Sequence, residues 1–334
     1  MTQARPQHPP LPDAGAPGRA QSVRHLPVGL FGSVMSIAGL SLAWRIASKQ
    51  YGIRASIADG IGIVALIAFA VLVVAYLAKT VKHPEAVAFE FTHPVLGSFF
   101  GTVGISILLL SSVLGRYNAL LHEWVWLFGT LVTLGLSVVM ISRLFNGNMA
   151  PTSVAPAWLI AGVGSLDVVV AGGQFTSGWG RELNLFAAAV GGVSALVFFV
   201  LIFSRLVHEA PLTGATRPSK MILTAPFSVG FIAYVNLSHH VDMFAALLFY
   251  FALFLFAVIA YRLITRPAPF SPTWWGIGFP MAALTNASLI YADAVGGAGL
   301  TAIAAIMLTL LSAAVAVLAV RTLHALATGR LLAA

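Results

Sequence analysis

The stretch IADGIGIVALIAFAVLVVAYLAK, residues 57–79, carries only two charged side chains, Asp59 close to its start and Lys79 at its end. A helix needs about 20 consecutive apolar residues to cross the hydrocarbon core of a bilayer. This run is therefore long enough and apolar enough to predict a transmembrane helix.

Nine further runs of the same kind lie on either side of it along the chain. The ten runs fall at about 26–46, 57–79, 92–114, 120–143, 155–172, 184–207, 221–238, 241–263, 273–293 and 298–320. They predict an all-α integral membrane protein with ten transmembrane helices joined by short connections.

The composition of the whole chain agrees with this class. Only 8% of the 334 residues are charged and 59% are hydrophobic, whereas a soluble domain has about 25% charged residues. This composition excludes both a soluble globular protein and a disordered chain. Cysteine is absent, and we find no phosphate-binding loop, zinc-protease helix or nucleophile elbow. We therefore expect no catalytic residues, no metal site and no cofactor.

The positions of the basic residues predict the orientation of the helices. With ten spans, thirteen of the eighteen Lys and Arg residues lie on the side of both termini and five on the other side. Because cytoplasmic loops carry an excess of Lys and Arg, both termini are predicted to be cytoplasmic. The formal net charge of +8 is then a consequence of topology, and we expect no nucleic-acid partner.

The two ends of the chain are set apart from the apolar region. Residues 1–22 contain five prolines and no apolar run, which predicts a disordered cytoplasmic N-terminal tail. Residues 23–323 form the predicted ten-helix transmembrane domain, and residues 324–334 a short cytoplasmic C-terminal tail.

Prolines reveal an internal repeat within the apolar region. One intramembrane proline falls in every odd-numbered span and none in the even ones: Pro27, Pro94, Pro156, Pro226 and Pro280. A proline inside a helix removes a hydrogen bond and kinks the helix, and the freed carbonyl needs a partner inside a bundle or beside water. We therefore predict five quasi-repeated helical hairpins around a central pore, with kinked odd helices inside and even helices facing lipid.

Two local motifs resemble a known family. The opening His25-Leu-Pro-Val-Gly-Leu-Phe-Gly32 with the following Leu40-Ser-Leu-Ala-Trp44, and the later Trp274-Trp-Gly-Ile-Gly-Phe-Pro-Met-Ala-Ala283, resemble the tellurite-resistance/dicarboxylate transporter family. That family includes bacterial TehA proteins and the slow-type anion channels of plants. The resemblance extends over all ten spans.

The resemblance implies a function as well as a fold. It implies passive transport of small inorganic or organic anions through a pore in each protomer, a homotrimer, and a location in the bacterial inner membrane. It also implies that a phenylalanine from the ninth span, here Phe279, plugs the pore; a ring at this position would close the lumen sterically and by dewetting.

Other phenylalanines on odd spans are further candidates for lining the pore, although ordinary core packing explains each of them as well. They are Phe31, Phe100, Phe227 and Phe231. Basic residues near the cytoplasmic end could concentrate anions, or could simply contact lipid phosphates. They are Arg24, Lys79, Lys82, Arg143, Arg217, Lys220 and Arg262.

Asp167 is the only acidic residue well inside a predicted span, and an ionisable group in that position suggests a function. It could move protons, or it could pair with a basic residue at the outer side such as Arg45. The first possibility supports an alternative function, a proton-coupled transporter of C4-dicarboxylates, sulfite or a tellurite-related oxyanion. Asp242 and Asp293, near the outer ends of spans, depart from the pattern expected of an anion pathway.

Overall fold

A computed structural model describes residues 22–147, 149–176, 178–212 and 214–332 of the chain. The regular structure of these residues is entirely helical, which confirms the predicted all-α class. The predicted N-terminal tail lies outside the described residues except for Ser22.

The described residues form eleven α-helices. These are α1 Gly32–Tyr51, α2 Ser56–Lys82, α3 Pro84–Thr92, α4 Gly101–Leu114, α5 Ala119–Phe145, α6 Trp158–Gly172, α7 Gly178–His208, α8 Ala225–Ser238, α9 Met243–Thr265, α10 Gly278–Val295 and α11 Ala298–Ala327. Four of these helices directly continue a 3₁₀ segment, namely Val28–Phe31, Leu96–Phe100, Gly214–Thr224 and Pro272–Ile277 before α1, α4, α8 and α10.

Five helices pack in a closed ring. Helix α1 contacts α4, α4 contacts α6, α6 contacts α8, α8 contacts α10, and α10 returns to α1; we call these the inner helices. Each is followed by an outer helix (α2, α5, α7, α9 or α11), which packs both on its own inner helix and on the next one around the ring. The five predicted hairpins and their inner and outer layers are therefore confirmed.

Burial separates the two layers. Three segments contain inner helices of membrane-spanning length: Val28–Tyr51, Leu96–Leu114 and Thr216–Ser238. In their most apolar 18-residue stretches 61–72% is buried, whereas in the outer helices the share is 11–33%. The outer helices expose long series of Val, Leu, Ile and Phe side chains, as expected of a surface that meets lipid tails. Hydropathy and burial together define a helical membrane protein.

Among the described residues, eight helical segments are long and apolar enough to cross a membrane. The predicted fifth span corresponds to α6, which is apolar but has only 15 residues, and the predicted ninth span corresponds to α10, which is not among the eight. Every predicted span coincides with a helix, while the count of ten crossings remains a prediction.

The five prolines of the repeat lie at the starts of the inner helices. Pro27, Pro94 and Pro156 precede their α-helices, and Pro226 and Pro280 lie in the first turns of α8 and α10. In the first turn of a helix the N–H groups have no acceptor within the helix, so a proline there costs no hydrogen bond. The prediction of prolines on every inner helix holds, but the kinks predicted inside the α-helices are replaced by junctions at the helix starts.

The C-terminal boundary also differs from the prediction. Helix α11 continues to Ala327, beyond the predicted domain end at residue 323. The chain then turns back, and the amide of Ser22 donates to the carbonyl of Leu332 at 3.3 Å. The two ends of the described chain therefore lie side by side.

Close contact between α1 and α10 closes the ring, and small residues permit it. A Cβ atom built on Gly39 would lie 2.6 Å from Cβ of Ala282, nearer than real Cβ atoms approach. Packing is the main source of helix association in a bilayer, where small residues let backbones approach. Gly39 is therefore required by the geometry of this contact.

We expect Gly39→Ala to destabilise the protein by about 1–3 kcal/mol, the usual cost of overpacking, because Ala282 has no flexible side chain that could move away. The melting temperature of the detergent-solubilised protein would fall by several degrees. Gly230→Ala is the matched control, because nothing lies within 4 Å of a Cβ atom at this inner-helix position. Equal melting temperatures for the two variants would contradict the prediction.

Candidate pore

The inner helices begin together at one end of the bundle, where basic residues collect. Lys79 donates a hydrogen bond to the carbonyl of Leu26, which comes shortly before the 3₁₀ segment that leads into α1. The guanidinium carbon of Arg143 lies 4.6 Å from the centre of the Phe91 ring. Lys220 belongs to the 3₁₀ segment that leads into α8. We call this the basic end. It is the end predicted to face the cytoplasm.

A cavity lies at the centre of the ring near the basic end, and all five inner helices or their 3₁₀ segments contribute to its wall. Its lining includes Gly32, Met35, Thr102, Ile105, Leu159, Ile160, Val163, Ile222, Ala225, Trp275, Phe279 and Pro280. Its volume is about 30 Å³, enough for one or two waters. We call this the pore cavity.

The wall of the pore cavity carries no charged side chain. Its polar lining residue Thr102 donates its hydroxyl to the carbonyl of Phe99 at 2.6 Å, so this group is engaged within its own helix. An ion in the cavity would meet apolar side chains and backbone only. Apolar constrictions are known to close pores by excluding water and ions.

Phe279 forms part of the wall of the pore cavity. It is the second residue of α10, is 8% exposed, and lines the cavity together with Met35, Ile105 and Val163 from three other inner helices. Trp275, four residues earlier, is 2% exposed and donates its indole N–H to the hydroxyl of Thr322 on α11 at 2.9 Å. This bond anchors the turn that leads into Phe279.

A second cavity of about 80 Å³ adjoins the first, and we call it the mouth cavity. It is lined by Pro27, Val28, Gly29, Glu90, Leu96, Phe99, Pro272, Thr273 and Gly276. Gly29, Phe99 and Gly276 line both cavities. The two cavities are therefore neighbours, and these three residues lie between them.

Phe99, which borders both cavities, was not among the candidates from the sequence. Its ring lies 3.1 Å from the place where a Cβ atom on Gly29 would stand, so glycine makes room for it. The spacing of Phe99, Thr102 and Ile105 by three residues is the signal that could have identified this face.

The four phenylalanines proposed from the sequence have rings that pack away from the pore cavity. Phe31 and Phe100 contact Tyr76 of α2, Phe227 contacts rings of α7 and α9, and Phe231 lies against Phe249 and Tyr291. Their positions fit packing between inner helices and their neighbours. Of the five phenylalanines named from the sequence, only Phe279 lies in the wall of the pore cavity.

Several of the predicted basic residues belong to one cluster at the basic end. Lys220 lies within electrostatic reach of Arg205, Arg217, Arg262 and Arg266. In the described part of the chain none of the five forms an ion pair with an acidic residue. The 3₁₀ segment that carries Lys220 packs against Gly276 in the wall of the mouth.

The other predicted basic residues have individual partners. Lys79 pairs with Glu90 at 2.8 Å, and Arg24 approaches Glu85 at 3.9 Å. Arg143 packs on an aromatic ring, as noted above, and Lys82 is exposed. The predicted ring of cations is therefore uneven, with its unpaired charge concentrated beside α7, α8 and α9.

Asp167 lies on the cavity side of α6. It follows Val163, which lines the pore cavity, by four residues, and is therefore on the same face one turn further along. It is 1% exposed, and its Oδ2 has no hydrogen-bond partner among the described residues. Arg45, a partner considered from the sequence, instead bonds Asp59 at 2.9 Å.

The acidic residues at the far end are accounted for by local structure. Asp59 also accepts from Arg116 at 3.0 Å. Asp242 caps α9 by accepting from the amide of Ala245, and the hydroxyl of Tyr234 also donates to it. The Tyr234 bond and then the cap lower the pKa of Asp242. Asp242 therefore stays ionised at neutral pH. Asp293 is exposed to solvent at the end of α10.

A closed ring of five hairpins, with apolar outer helices and a cavity where the inner helices meet, defines a helical membrane protein. The comparison with known families agrees with this description. The chain belongs to the SLAC1 family, described as voltage-dependent anion channels, whose sequence profile matches residues 25–323.

Curated relatives occur in plants and bacteria. The S-type anion channel SLAH2 of Arabidopsis thaliana is 27% identical over 84% of this chain, and the guard cell S-type anion channel SLAC1 of the same plant is 27% identical over 89%. The matches cover 55% of each plant protein, so the chain spans about half of their length. The tellurite resistance protein TehA homolog of Haemophilus influenzae is 26% identical over 80% of this chain and 81% of its own length.

Cysteine labelling can test whether the two cavities form a path, because the chain has no cysteine of its own. Phe99→Cys would place a thiol in the mouth, whereas Asn286→Cys would place one two turns past Phe279 on the same face of α10. We expect a charged, membrane-impermeant thiol reagent supplied at the basic end to label the first variant and not the second. Adding Phe279→Ala to Asn286→Cys should permit labelling.

The extent of labelling is read as a mass shift of the intact protein. Labelling of the unmodified, cysteine-free chain serves as the background. Equal labelling of Asn286→Cys with and without Phe279→Ala would contradict a constriction at Phe279.

Proposed function

We propose that this protein conducts small anions passively across the bacterial inner membrane, through a pore within each protomer that the ring of Phe279 closes. The observation that carries the proposal is the pore cavity, to which all five inner helices contribute and in whose wall Phe279 lies. A cavity at the common axis of a closed ring is the natural course of a transmembrane path.

The distribution of charge supports an anionic substrate. The cluster formed by Arg205, Arg217, Lys220, Arg262 and Arg266 lies beside the mouth, and its charges reinforce one another at Lys220. A positive potential at an entrance raises the local concentration of anions. The apolar wall beyond it holds no anion tightly, which favours rapid passage over binding.

The relatives support the same class of activity. Anion channels are named among the plant relatives, and the matches extend over most of this chain. The resemblance also implies a homotrimer, and the distribution of Lys and Arg predicts that both termini are cytoplasmic. Exposed apolar side chains cover the outer helices, and this surface suits contacts with lipid and with other copies of the chain alike.

Replacement of the plug is the direct test of the gate. We expect Phe279→Ala to raise anion conductance in planar bilayers by at least about ten-fold, because a methyl group in place of the ring leaves the constriction open to water. Phe227→Ala is the matched control, since its ring packs against Phe199 and Phe251 outside the pore cavity.

The two variants should differ in current and not in folding, which size-exclusion profiles in detergent would check. Reversal potentials in mixed anion gradients would identify the preferred anion. A folded Phe279→Ala protein with the conductance of the wild type would contradict the proposed gate.

The second candidate function is proton-coupled transport of C4-dicarboxylates, sulfite or a tellurite-related oxyanion. The buried, unpartnered Oδ2 of Asp167, one helical turn beyond the cavity-lining Val163, is the observation that favours it. A carboxyl group that can exchange a proton while facing a pathway is the element such a transporter needs.

We expect Asp167→Asn to leave the current of the Phe279→Ala protein unchanged within about two-fold, because passive conduction requires no proton exchange. The measurement compares reversal potentials with and without an imposed pH gradient. Asp293→Asn, an exposed carboxylate at the far end, is the control. A pH-dependent reversal potential that only Asp167→Asn abolishes would establish the coupled transporter instead.

A further inference from the structure

We propose that Lys79 and Tyr76 form an anion-binding site behind the wall of the mouth cavity and that the carboxylate of Glu90, which lines that cavity, occupies the site and competes with permeant anions. The proposal rests on the proposed function, because it assigns a regulator of anion entry to the same path. The ligand class is a small monovalent anion, such as a halide, nitrate or a carboxylate.

Lys79 is unusual for a lysine near the end of a membrane helix. Such side chains normally extend into water, but that of Lys79 is only 1% exposed. Its Nζ donates to the carbonyl of Leu26 at 2.7 Å and to Oε1 of Glu90 at 2.8 Å. Leu26 directly precedes Pro27, a lining residue of the mouth cavity, so the ammonium group lies behind the cavity wall and is joined to the cavity through Glu90.

Glu90 joins this lysine to the mouth cavity. It is carried by α3, the short helix after α2, and its side chain is 13% exposed and lines the mouth cavity. Its Oε2 accepts the hydroxyl proton of Tyr76 at 2.7 Å. Both carboxylate oxygens are therefore bound by donors, one of which is charged.

These donors would serve an anion from solution equally well. An ammonium group and a hydroxyl group form strong hydrogen bonds to any anionic acceptor. The strength of these bonds does not require the acceptor to belong to the protein. Glu90 differs from a permeant anion only in being tethered. Its high local concentration keeps the site filled.

The pair also contributes to the charge at the entrance, on the side of α2 and α3. With Glu90 in place the positive charge of Lys79 is cancelled, and the pore cavity beyond has no charge of its own. Removing the charge of Glu90 would leave a buried cation without a counter-ion, a costly arrangement that a mobile anion would relieve. The entrance of such a variant should attract anions more strongly.

The test uses the full-length protein with Phe279→Ala, so that currents are measurable. We expect the addition of Glu90→Gln to raise the anion conductance about three-fold or more at about 50 mM salt and to lower the half-saturating anion concentration. The gain should shrink near 1 M salt, where screening is strong. Further addition of Lys79→Gln should abolish the gain, because it removes the cation that binds the anion.

Glu85→Gln is the matched control, since Glu85 lies on the same helix with its side chain 58% exposed. It should leave conductance unchanged. Glu90→Ala provides a second route in case Glu90→Gln does not fold, because it also removes the carboxylate and leaves both donors of the site, Lys79 and Tyr76, in place. It should raise conductance in the same direction.

The outcomes separate this proposal from the proposed function. If Phe279→Ala conducts but neither Glu90→Gln nor Glu90→Ala raises its conductance, the competing role of Glu90 is overturned and the anion pore stands. An equal gain with and without Lys79→Gln would also overturn it. Absence of current from a folded Phe279→Ala protein would count against the proposed function itself.

Discussion

The structure depends on how closely five helices can approach one another around a common axis. Lipid tails are as apolar as the side chains of the helices, so the hydrophobic effect does not hold the ring together, and packing must do so. Ser36 and Gly278 meet so closely that a Cβ atom on the glycine would lie 2.2 Å from the serine Oγ. Gly39 and Ala282 meet in a similar way one turn further along. These contacts join α10 to α1 and thereby turn a row of hairpins into a ring with an interior.

The same close approach explains why the interior is apolar although the inner helices are rich in hydroxyl groups. Ser36, Ser106 and Thr285 each donate to the carbonyl four residues earlier in their own helix, at 2.7–2.8 Å. A hydroxyl bonded in this way satisfies its own polarity within the helix and offers little to an ion in the lumen. Small polar residues therefore serve packing, and the pore wall is left to methyl groups and aromatic rings. Asp167 and Asn286 depart from this rule, since each has a buried oxygen without a partner among the described residues.

The sequence predicted the layers of the fold better than the faces of the helices. Apolar runs, charge asymmetry and the prolines on odd spans were enough for the hairpins and for the inner and outer layers, because these depend on composition and chain order. These patterns did not predict the directions of the Phe31 and Phe100 rings, because both residues lie at the ends of 3₁₀ segments. A 3₁₀ segment turns 120° per residue and an α-helix 100°, so the direction of a side chain cannot be counted from the proline. The family resemblance supplied Phe279, whereas neither it nor periodicity supplied Phe99.

The charge at the mouth could likewise be predicted only in part from the sequence. Counting Lys and Arg residues predicts which end of the bundle is basic, but the field at the mouth depends on which of those charges are neutralised. Lys79 is neutralised by Glu90, a partner eleven residues away on a short helix that interrupts the hairpin pattern. The cluster around Lys220 has no acidic partner within the described part of the chain. An anion approaching the mouth therefore meets net positive charge on the side of α8 and α9 and a balanced pair on the side of α2 and α3. The basic end is asymmetric around a nearly fivefold ring, and control of entry can reside on one side of it.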